Sequence, residues 1–288
     1  QAGRLAEATE LYRKIIDAEP DNTAAWINLG VALRGTGKVA QAVQALQRAI
    51  ALAPDNPGAH FNLGNSLADL EDDTAACDAF ATATELAPEL ADAHVNWGDI
   101  LARAGRDDEA AAIFTRGLEQ TPNHAGLLNN LGNSLLNLHR AQEALKYLEK
   151  AAQIAPIDTA IQRNLANALR LNGQLQPAIK IFDGLIQAQS ADSDSRCLRA
   201  FARFSLGQFN EAWLDYRARW KSNAHEDARP FAQPYWDGQD LNGKTLLIWG
   251  EQAVGDELMF ATMLPELQSL GGQIIIETEH RLKTLLSR

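Results

Sequence analysis

Five asparagines recur at intervals of 34 residues, and their carboxamide side chains are suited to hydrogen bonding and not to covalent chemistry. They are Asn28, Asn62, Asn96, Asn130 and Asn164. A second polar set lies three residues further along from the second of them onward: Asn65, Asp99, Asn133 and Asn167. Each carboxamide offers both a donor and an acceptor, so a row of them can pair with the backbone of an extended peptide.

The recurrence needs a physical reason, because asparagine costs about 0.6 kcal/mol relative to alanine inside a helix. Two interpretations follow from the residue type alone. In the first, the amides face a ligand and hold its backbone. In the second, they bond the adjacent repeat and fix the register in which the repeats stack. Both interpretations can hold at once.

The elements that must position these side chains also follow the 34-residue interval. Prolines keep the same interval and close each unit: Pro20, Pro54, Pro88, Pro122 and Pro156. A period of 34 residues indicates a helix–turn–helix unit, and the residue before each proline is pushed out of the helical region. The full units are 23–56, 57–90, 91–124, 125–158 and 159–192. Residues 1–22 form half a unit and 193–226 a degenerate one, which gives a solenoid over 1–226.

Small residues in the first helix of each unit are matched by large ones in the second. The eighth position reads Gly30, Gly64, Gly98, Gly132 and Ala166, and the twenty-fourth reads Leu46, Phe80, Phe114, Leu148 and Phe182. Only a small side chain lets two helix backbones approach closely, so we expect the large residues to lie opposite the small ones. At about 100° per residue, the asparagine row lies on the opposite side of the first helix from this packed stripe.

The pattern closely resembles the tetratricopeptide repeat family over about 225 residues. That resemblance implies a mainly α fold, a right-handed superhelix whose concave groove is lined by the first helix of each unit. The phrases "FNLGNSL" and "NNLGNSL" resemble the repeats of O-linked N-acetylglucosamine transferases. In that family, a ladder of such asparagines is taken to hold the backbone of a peptide.

The repeat stops after residue 226, and the composition changes. Residues 227–243 contain proline and aromatic residues and are expected to form an ordered connector. Residues 244–249 and 273–278 are apolar runs that predict strands, and helical spacing occupies about 256–270. A strand, a helix and a strand within so few residues predict a βαβ crossover with a parallel pair. Residues 244–288 are therefore interpreted as an incomplete Rossmann-like domain.

The loop between these elements, Gly250–Asp256, lacks the lysine and hydroxyl residue of a P-loop. The phrase "GDELMFATMLPEL" resembles the start of heptosyltransferase-like glycosyltransferases. The resemblance implies that Asp256 acts as a general base toward the acceptor hydroxyl. The alternative is that Asp256 only stabilises the first turn of the helix.

Composition excludes several classes of function. The formal net charge of −11 repels phosphate, so nucleic acid is a poor partner. No apolar stretch is long enough for a membrane span. The two cysteines, Cys77 and Cys197, favour a reducing compartment and thus the cytoplasm. His60 and His94 share a repeat position, but no carboxylate or thiol joins them, so no metal site is expected.

These observations predict a protein-interaction module that binds an extended peptide or partner protein in its concave groove, with self-association as a further option. No cofactor is expected in this chain. The alternative is the recruiting half of a glycosyltransferase that modifies a protein or glycan, with its nucleotide-sugar site beyond residue 288. Whether the parent protein is an enzyme stays open at this point.

Overall fold

The computed structural model describes residues 2–190, 192–221, 233–234, 236, 238–250, 261–278 and 280–286. The chain divides into two compact units, Gln1–Arg219 and Trp220–Arg288. Each unit is described by itself below. In the described part, both cysteines are free thiols.

The first unit is a series of helical hairpins, as the 34-residue period predicts. Its helices are α1 Ala2–Ala18, α2 Thr23–Gly35, α3 Val39–Leu52, α4 Pro57–Asp69, α5 Asp73–Leu86, α6 Ala91–Arg103, α7 Asp107–Gln120, α8 Ala125–Asn137, α9 Ala141–Ile154, α10 Thr159–Leu171, α11 Leu175–Ala188, α12 Ser193–Ser205 and α13 Phe209–Tyr216, followed by a 3₁₀ turn at Arg217–Lys221. The even-numbered helices are the first helices of their units. The odd-numbered helices are the second helices, and α1 is the second helix of the half unit 1–22. The prediction of a mainly helical protein is confirmed.

Local sequence explains where these helices begin and end. Asn56 precedes α4, and its side-chain oxygen accepts a hydrogen bond from the backbone N–H of Ala59 at 3.0 Å, which satisfies one of the free amides of the first turn. At the other end of a unit, Ala53 precedes Pro54 and has φ −141° and ψ 86°. That extended conformation is the one a following proline imposes, so α3 ends where the sequence predicts.

In the first four full units, the large residue of the second helix packs on the glycine of the first helix. A Cβ placed on Gly64 would lie 2.7 Å from Cε1 of Phe80, and one on Gly132 would lie 2.5 Å from Cγ of Leu148. These contacts leave no space for even a methyl group. Phe80 is fully buried, as are the other large residues at its position. The predicted packing of large on small residues is confirmed.

Successive first helices contact one another: α2 with α4, α4 with α6, α6 with α8, α8 with α10, and α10 with α12. Within the described part of the chain, no pair of successive second helices makes a comparable set of contacts. A stack in which one set of helices is closer together must curve toward that set. The first helices therefore form the inner, concave wall of the first unit.

The sixth hairpin is held differently from the others. Arg203 of α12 stands where the preceding units have leucine, and with Arg199 it bonds the buried carboxylate of Asp215 on α13 at 2.6 Å. Asp215 is only 3% exposed. A buried carboxylate with two guanidinium partners is satisfied, whereas either charge alone would be costly. Ion pairing thus takes the place of part of the apolar packing in this hairpin.

The second unit contains two strands, β1 Thr245–Trp249 and β2 Gln273–Glu277, with helix α14 Leu264–Gln268 between them in sequence. The strands pair in parallel, from Thr245 opposite Gln273 to Trp249 opposite Glu277. A 3₁₀ turn at His280–Leu282 and helix α15 Lys283–Leu286 follow. Both strands and their parallel pairing are confirmed. Of the predicted helix over about 256–270, residues 256–260 lie outside the described residues.

The close approach of α4 and α5 yields a prediction for Gly64→Ala. The added methyl group must displace the ring of Phe80, and overpacking of this kind costs about 1–3 kcal/mol. The gain in helix propensity, about 1 kcal/mol, offsets only part of that cost. Urea denaturation followed by circular dichroism should show a lower free energy of unfolding.

The matched control is Gly184→Ala on α11, where no side chain of the described residues beyond its two chain neighbours lies within 4 Å of the added Cβ. This substitution should stabilise the protein by up to about 1 kcal/mol, since only helix propensity changes. Equal stabilisation by the two substitutions would contradict the close packing at Gly64.

Candidate functional site

The predicted asparagine row lies on the first helices, on the side away from the buried stripe. On α2, the residues Ala25, Leu29 and Leu33 are buried, whereas Asn28 is exposed. Asn62, Asn96, Asn130 and Asn164 occupy the same position on later first helices and are half-buried. Because the first helices form the concave wall, the row runs along that wall.

Two members of the row bond the preceding repeat. Asn96 Nδ2 donates to Oδ1 of Asn65 at 2.7 Å, and Asn130 Nδ2 donates to Oδ1 of Asp99 at 2.6 Å. Each bond joins the sixth position of one unit to the ninth position of the unit before it. These contacts are the ones that the register-fixing interpretation requires.

The other members of the row make different contacts. Asn164 Nδ2 donates to Oδ1 of Asn129 at 2.9 Å, and Asn129 in turn donates to Oδ1 of Asn130 at 3.0 Å. Asn62 bonds its own helix, donating to the carbonyl of Gly58 at 2.7 Å. The row is therefore bonded across the repeats at its middle and toward its C-terminal end.

The same side chains also line open space. A cavity of about 620 Å³ on the first helices is bordered by four residues of the two polar sets, Asn65, Asn96, Asp99 and Asn133. Arg34, Asp69, Arg103 and Asn137 are among its other lining residues. We call this cavity the groove. Of the predicted residues, Asn28, Asn62, Asn130, Asn164 and Asn167 lie outside its lining.

Charge in the groove is mostly paired. Arg34 on α2 binds Asp69 on α4 through two hydrogen bonds, with Nε 2.6 Å from Oδ2. Arg103 lies 3.8 Å from Asp73. Asp99 differs, because burial raises the pKa of its carboxyl while the hydrogen bond from Asn130 lowers it, with burial the larger effect.

Toward the C-terminal end of the concave wall, Arg170 of α10 interacts with Asn167, a member of the predicted polar set, and with Phe201 on the next first helix. Its Nη2 and Nε donate to Oδ1 of Asn167, at 2.7 and 3.2 Å. Its guanidinium carbon lies 5.7 Å from the ring centre of Phe201 on α12, within the range of a cation–π contact. Sequence reasoning missed Arg170, although it shares a helix face with Asn167.

Sequence reasoning also missed Asn129. The doublet Asn129-Asn130 in the phrase "LLNNLGNSL" was the available signal, since it places a second carboxamide beside the recurring one. This neighbour and not Asn133, the residue in phase with Asn65 and Asp99, accepts the bond from Asn164.

The histidines have structural roles. His60 Nε2 donates to the carbonyl of Pro54 at 2.8 Å. His94 is fully buried, and its Nδ1 donates to the carbonyl of Leu90 at 3.3 Å, while its Nε2 has no partner in the described part of the chain. Burial is the main cause that lowers the pKa of His94. Among the described residues, no three histidine, cysteine or carboxylate side chains come together as a metal site would require.

Two further sequence predictions concern the second unit and the membrane. Asp256 lies outside the described residues, so its proposed role as a general base stays a prediction. Within the ranges that the structure describes, none of the helices combines the length and apolar character needed to cross a bilayer.

The stacked hairpins and the repeated knob-on-glycine packing define the class of protein as a tetratricopeptide repeat protein with a superhelical array. Residues 1–201 match the sequence model of the cilia and flagella-associated protein 70 C-terminal domain. The chain belongs to that family of tetratricopeptide domains.

A curated relative is similar over a shorter stretch. Protein FlbA of Caulobacter vibrioides (strain ATCC 19089 / CIP 103742 / CB 15) is 44% identical over 95 residues, which is 31% of this chain and 16% of FlbA. The chain therefore spans a small part of the length of that relative.

Several solved structures share the fold. The APC/C hetero-tetramer Cut9–Hcn1 matches with a TM-score of 0.61 and 17% identity over 79% of this chain and 45% of that one. PilF of Pseudomonas aeruginosa matches with a TM-score of 0.59 and 21% identity, over 69% of this chain and 90% of PilF. YrrB is described as a tetratricopeptide repeat protein with an unusual peptide-binding site. It matches with a TM-score of 0.55 and 20% identity, over 64% of this chain and 95% of YrrB. At these identities the likeness concerns the fold alone.

The buried His94 predicts a specific pH dependence. Its pKa in the folded protein is below the value of about 6.5 expected when unfolded, so the unfolded chain binds the proton more readily. The contribution of neutral His94 to the free energy of unfolding is therefore fully present above about pH 6.5 and is lost as the pH falls through the lower pKa of the folded state. His94→Leu reproduces Leu128, the buried residue at this position in the next unit. It should raise the free energy of unfolding by about 1 kcal/mol, because a buried polar atom without a partner is removed.

This effect is measured by thermal unfolding of the wild type and of His94→Leu at several pH values. The values should cover about pH 5 to 8, the range in which histidine titrates. The variant should lose less stability on acidification. His60→Leu, at the same position one unit earlier, is the control and should retain the wild-type loss. Parallel pH profiles for His94→Leu and the wild type would contradict the assignment.

Proposed function

We propose that the first unit is a protein-interaction module that binds an extended peptide, or an extended segment of a partner protein, along its concave wall. The observation that carries this proposal is that amide side chains of the two polar sets border the groove. Asn65, Asn96 and Asn133 lie around one open cavity on consecutive first helices. Such a row matches the repeating donors and acceptors of a peptide backbone.

Bonding between repeats does not use up these amides. Asn96 donates one N–H to Asn65. Its carboxamide has a second N–H and an oxygen with two lone pairs, and these can bind a ligand. The bond instead holds the side chain in one orientation before a ligand arrives. Binding then costs less side-chain entropy, which is about 0.5–1.5 kcal/mol for each side chain that must be immobilised. The two interpretations of the row thus reinforce each other.

Proteins of the same fold give indirect support. The structure of YrrB is described as having a peptide-binding site, and Cut9 is part of a hetero-tetramer with Hcn1. Those statements concern YrrB and Cut9. They make a binding role the natural starting hypothesis for this chain.

Other expectations of the sequence stay predictions. They are a cytoplasmic location, the absence of a nucleic-acid partner and of a cofactor, self-association through the repeats, the likeness of the repeats to those of O-linked N-acetylglucosamine transferases, and the right-handed sense of the superhelix.

The second candidate function is the recruiting half of a glycosyltransferase, in which residues 244–288 begin a Rossmann-like domain of heptosyltransferase type. The parallel pairing of β1 with β2 supports it, because parallel sheets belong to α/β architectures. Asp256 would be the general base, and a nucleotide sugar the donor. Nucleotide release from nucleotide sugars by the full-length protein, lost in its Asp256→Asn variant, tests this candidate.

The binding proposal predicts the outcome of the double substitution Asn96→Ala, Asn130→Ala. Each change removes a hydrogen bond worth about 1 kcal/mol but gains about 0.6 kcal/mol in helix propensity. The free energy of unfolding should therefore fall by less than about 1 kcal/mol in total. Peptide affinity, measured by fluorescence anisotropy on peptides selected against the wild type, should fall about tenfold or more, because several backbone hydrogen bonds are lost.

Gln142→Ala on the second helix α9 is the matched control, since it removes an exposed carboxamide away from the concave wall. It should bind the same peptides as the wild type does. Undiminished affinity in the double variant would overturn the proposed role of the row, and extensive unfolding would assign it to stacking alone.

A further inference from the structure

We infer that the concave wall from α6 to α10 is selective for a charge pattern: it takes an extended segment that carries a basic side chain facing Asp99 and an acidic side chain facing Arg170. This inference rests on the proposed function and adds the chemistry of the partner. Amides alone would accept any backbone, whereas two charges on the same wall select among sequences.

Asp99 is the exception within its set of four. The equivalent residues in the neighbouring units are the uncharged Asn65, Asn133 and Asn167. The carboxylate is half-buried, lines the groove and accepts a hydrogen bond from Asn130, but within the described residues no cation forms an ion pair with it. Arg103, one turn along the same helix, interacts with Asp99 only at longer range and makes its ion-pair contact with Asp73, with Nη2 3.8 Å from Oδ1. A partly buried carboxylate without a cation is unfavourable, and a lysine or arginine of a ligand would relieve this.

Arg170 is the complementary exception. It is half-buried on α10, held in place by Asn167 and by the ring of Phe201. In the part of the chain that the structure describes, no carboxylate forms an ion pair with it. Both holding contacts fix the plane of the guanidinium, and its remaining N–H groups can bind a carboxylate in the bidentate manner that arginine favours.

Two other arginines on the first helices already have carboxylate partners. Arg34 is bonded to Asp69, and Arg163 on α10 lies 3.2 Å from Asp192. Neither pair has a net charge to offer a ligand. The exposed Asp92 on α6 also lacks an ion pair among the described residues. Of the half-buried charged side chains on α6, α8 and α10, Asp99 and Arg170 are the ones without an ion pair in the described part of the chain.

The spacing of the two groups sets the register of the ligand. Asp99 lies on α6 and Arg170 on α10, with α8 between them and in contact with both helices. Packed helices are about 8–10 Å apart, so two steps amount to about 16–20 Å. An extended chain covers about 3.3 Å per residue, which corresponds to five or six residues. The predicted ligand thus has a basic and an acidic residue about five or six positions apart.

The experiment begins with selection from a library of random peptides long enough to span the concave wall from α6 to α10, using the intact chain as the target. Selected peptides should be enriched in a basic and an acidic residue at the predicted separation. A second selection on Asp99→Asn should lose the preference for the basic residue only. This variant copies the asparagine of the neighbouring units and keeps the oxygen that accepts the bond from Asn130.

A double-mutant cycle then tests each contact. Replacing the basic residue of a selected peptide by glutamine should weaken wild-type binding about tenfold but change binding to Asp99→Asn by less than about twofold. Arg170→Leu copies Leu136, the residue at this position one unit earlier, and should show the same behaviour toward the acidic residue. Thermal unfolding confirms that both variants are folded.

The outcomes separate the two proposals. Selected peptides without the charge pattern, or equal binding by the wild type and both variants, would overturn the inference and leave the binding function intact. If no peptide is enriched on the wild type relative to the Asn96→Ala, Asn130→Ala double variant, the proposed function is removed and this inference with it. Enrichment of the pattern with coupling in both cycles supports it.

Discussion

The contact between a glycine of one helix and a large side chain of the next is the constraint on which the rest of the first unit depends. At Gly64 and Gly132, the paired helices are so close that a methyl group has no space. This proximity sets the crossing of each hairpin and, through repetition, the stacking of all of them. The first helices then lie close enough to contact each other along one side, so the asparagines they carry form a continuous row.

Register-fixing contacts and a position on the open side of the concave wall are compatible in this row. Asn96 and Asn130 bond the preceding repeat, which ties the position of each amide to the register of the stack. They also border or support open space on the concave wall. A recognition surface whose side chains are oriented by the scaffold itself needs little rearrangement, and a distortion of the stack would alter the surface.

Much of this arrangement could be predicted from sequence, because it depends on periodicity. The 34-residue interval identified the hairpins, the matched glycine and phenylalanine positions identified their packing, and apolar runs identified β1 and β2. Partner choice among side chains could not be predicted. Asn164 bonds Asn129 and not Asn133, which depends on rotamers and on the local angle between α8 and α10. The ion pairs of Asp215 were missed because they replace the periodic leucine.

Contacts limited to neighbouring hairpins have an evolutionary consequence. Because, among the described helices of the first unit, each hairpin makes its main contacts with those beside it, duplication or loss of a whole 34-residue unit creates no new kind of interface. Each such event lengthens or shortens the concave wall by one helix width, about 8–10 Å, which corresponds to about three residues of an extended chain. Related proteins could therefore diversify their partners in discrete steps, by changing the number of units while the packing within each one is preserved.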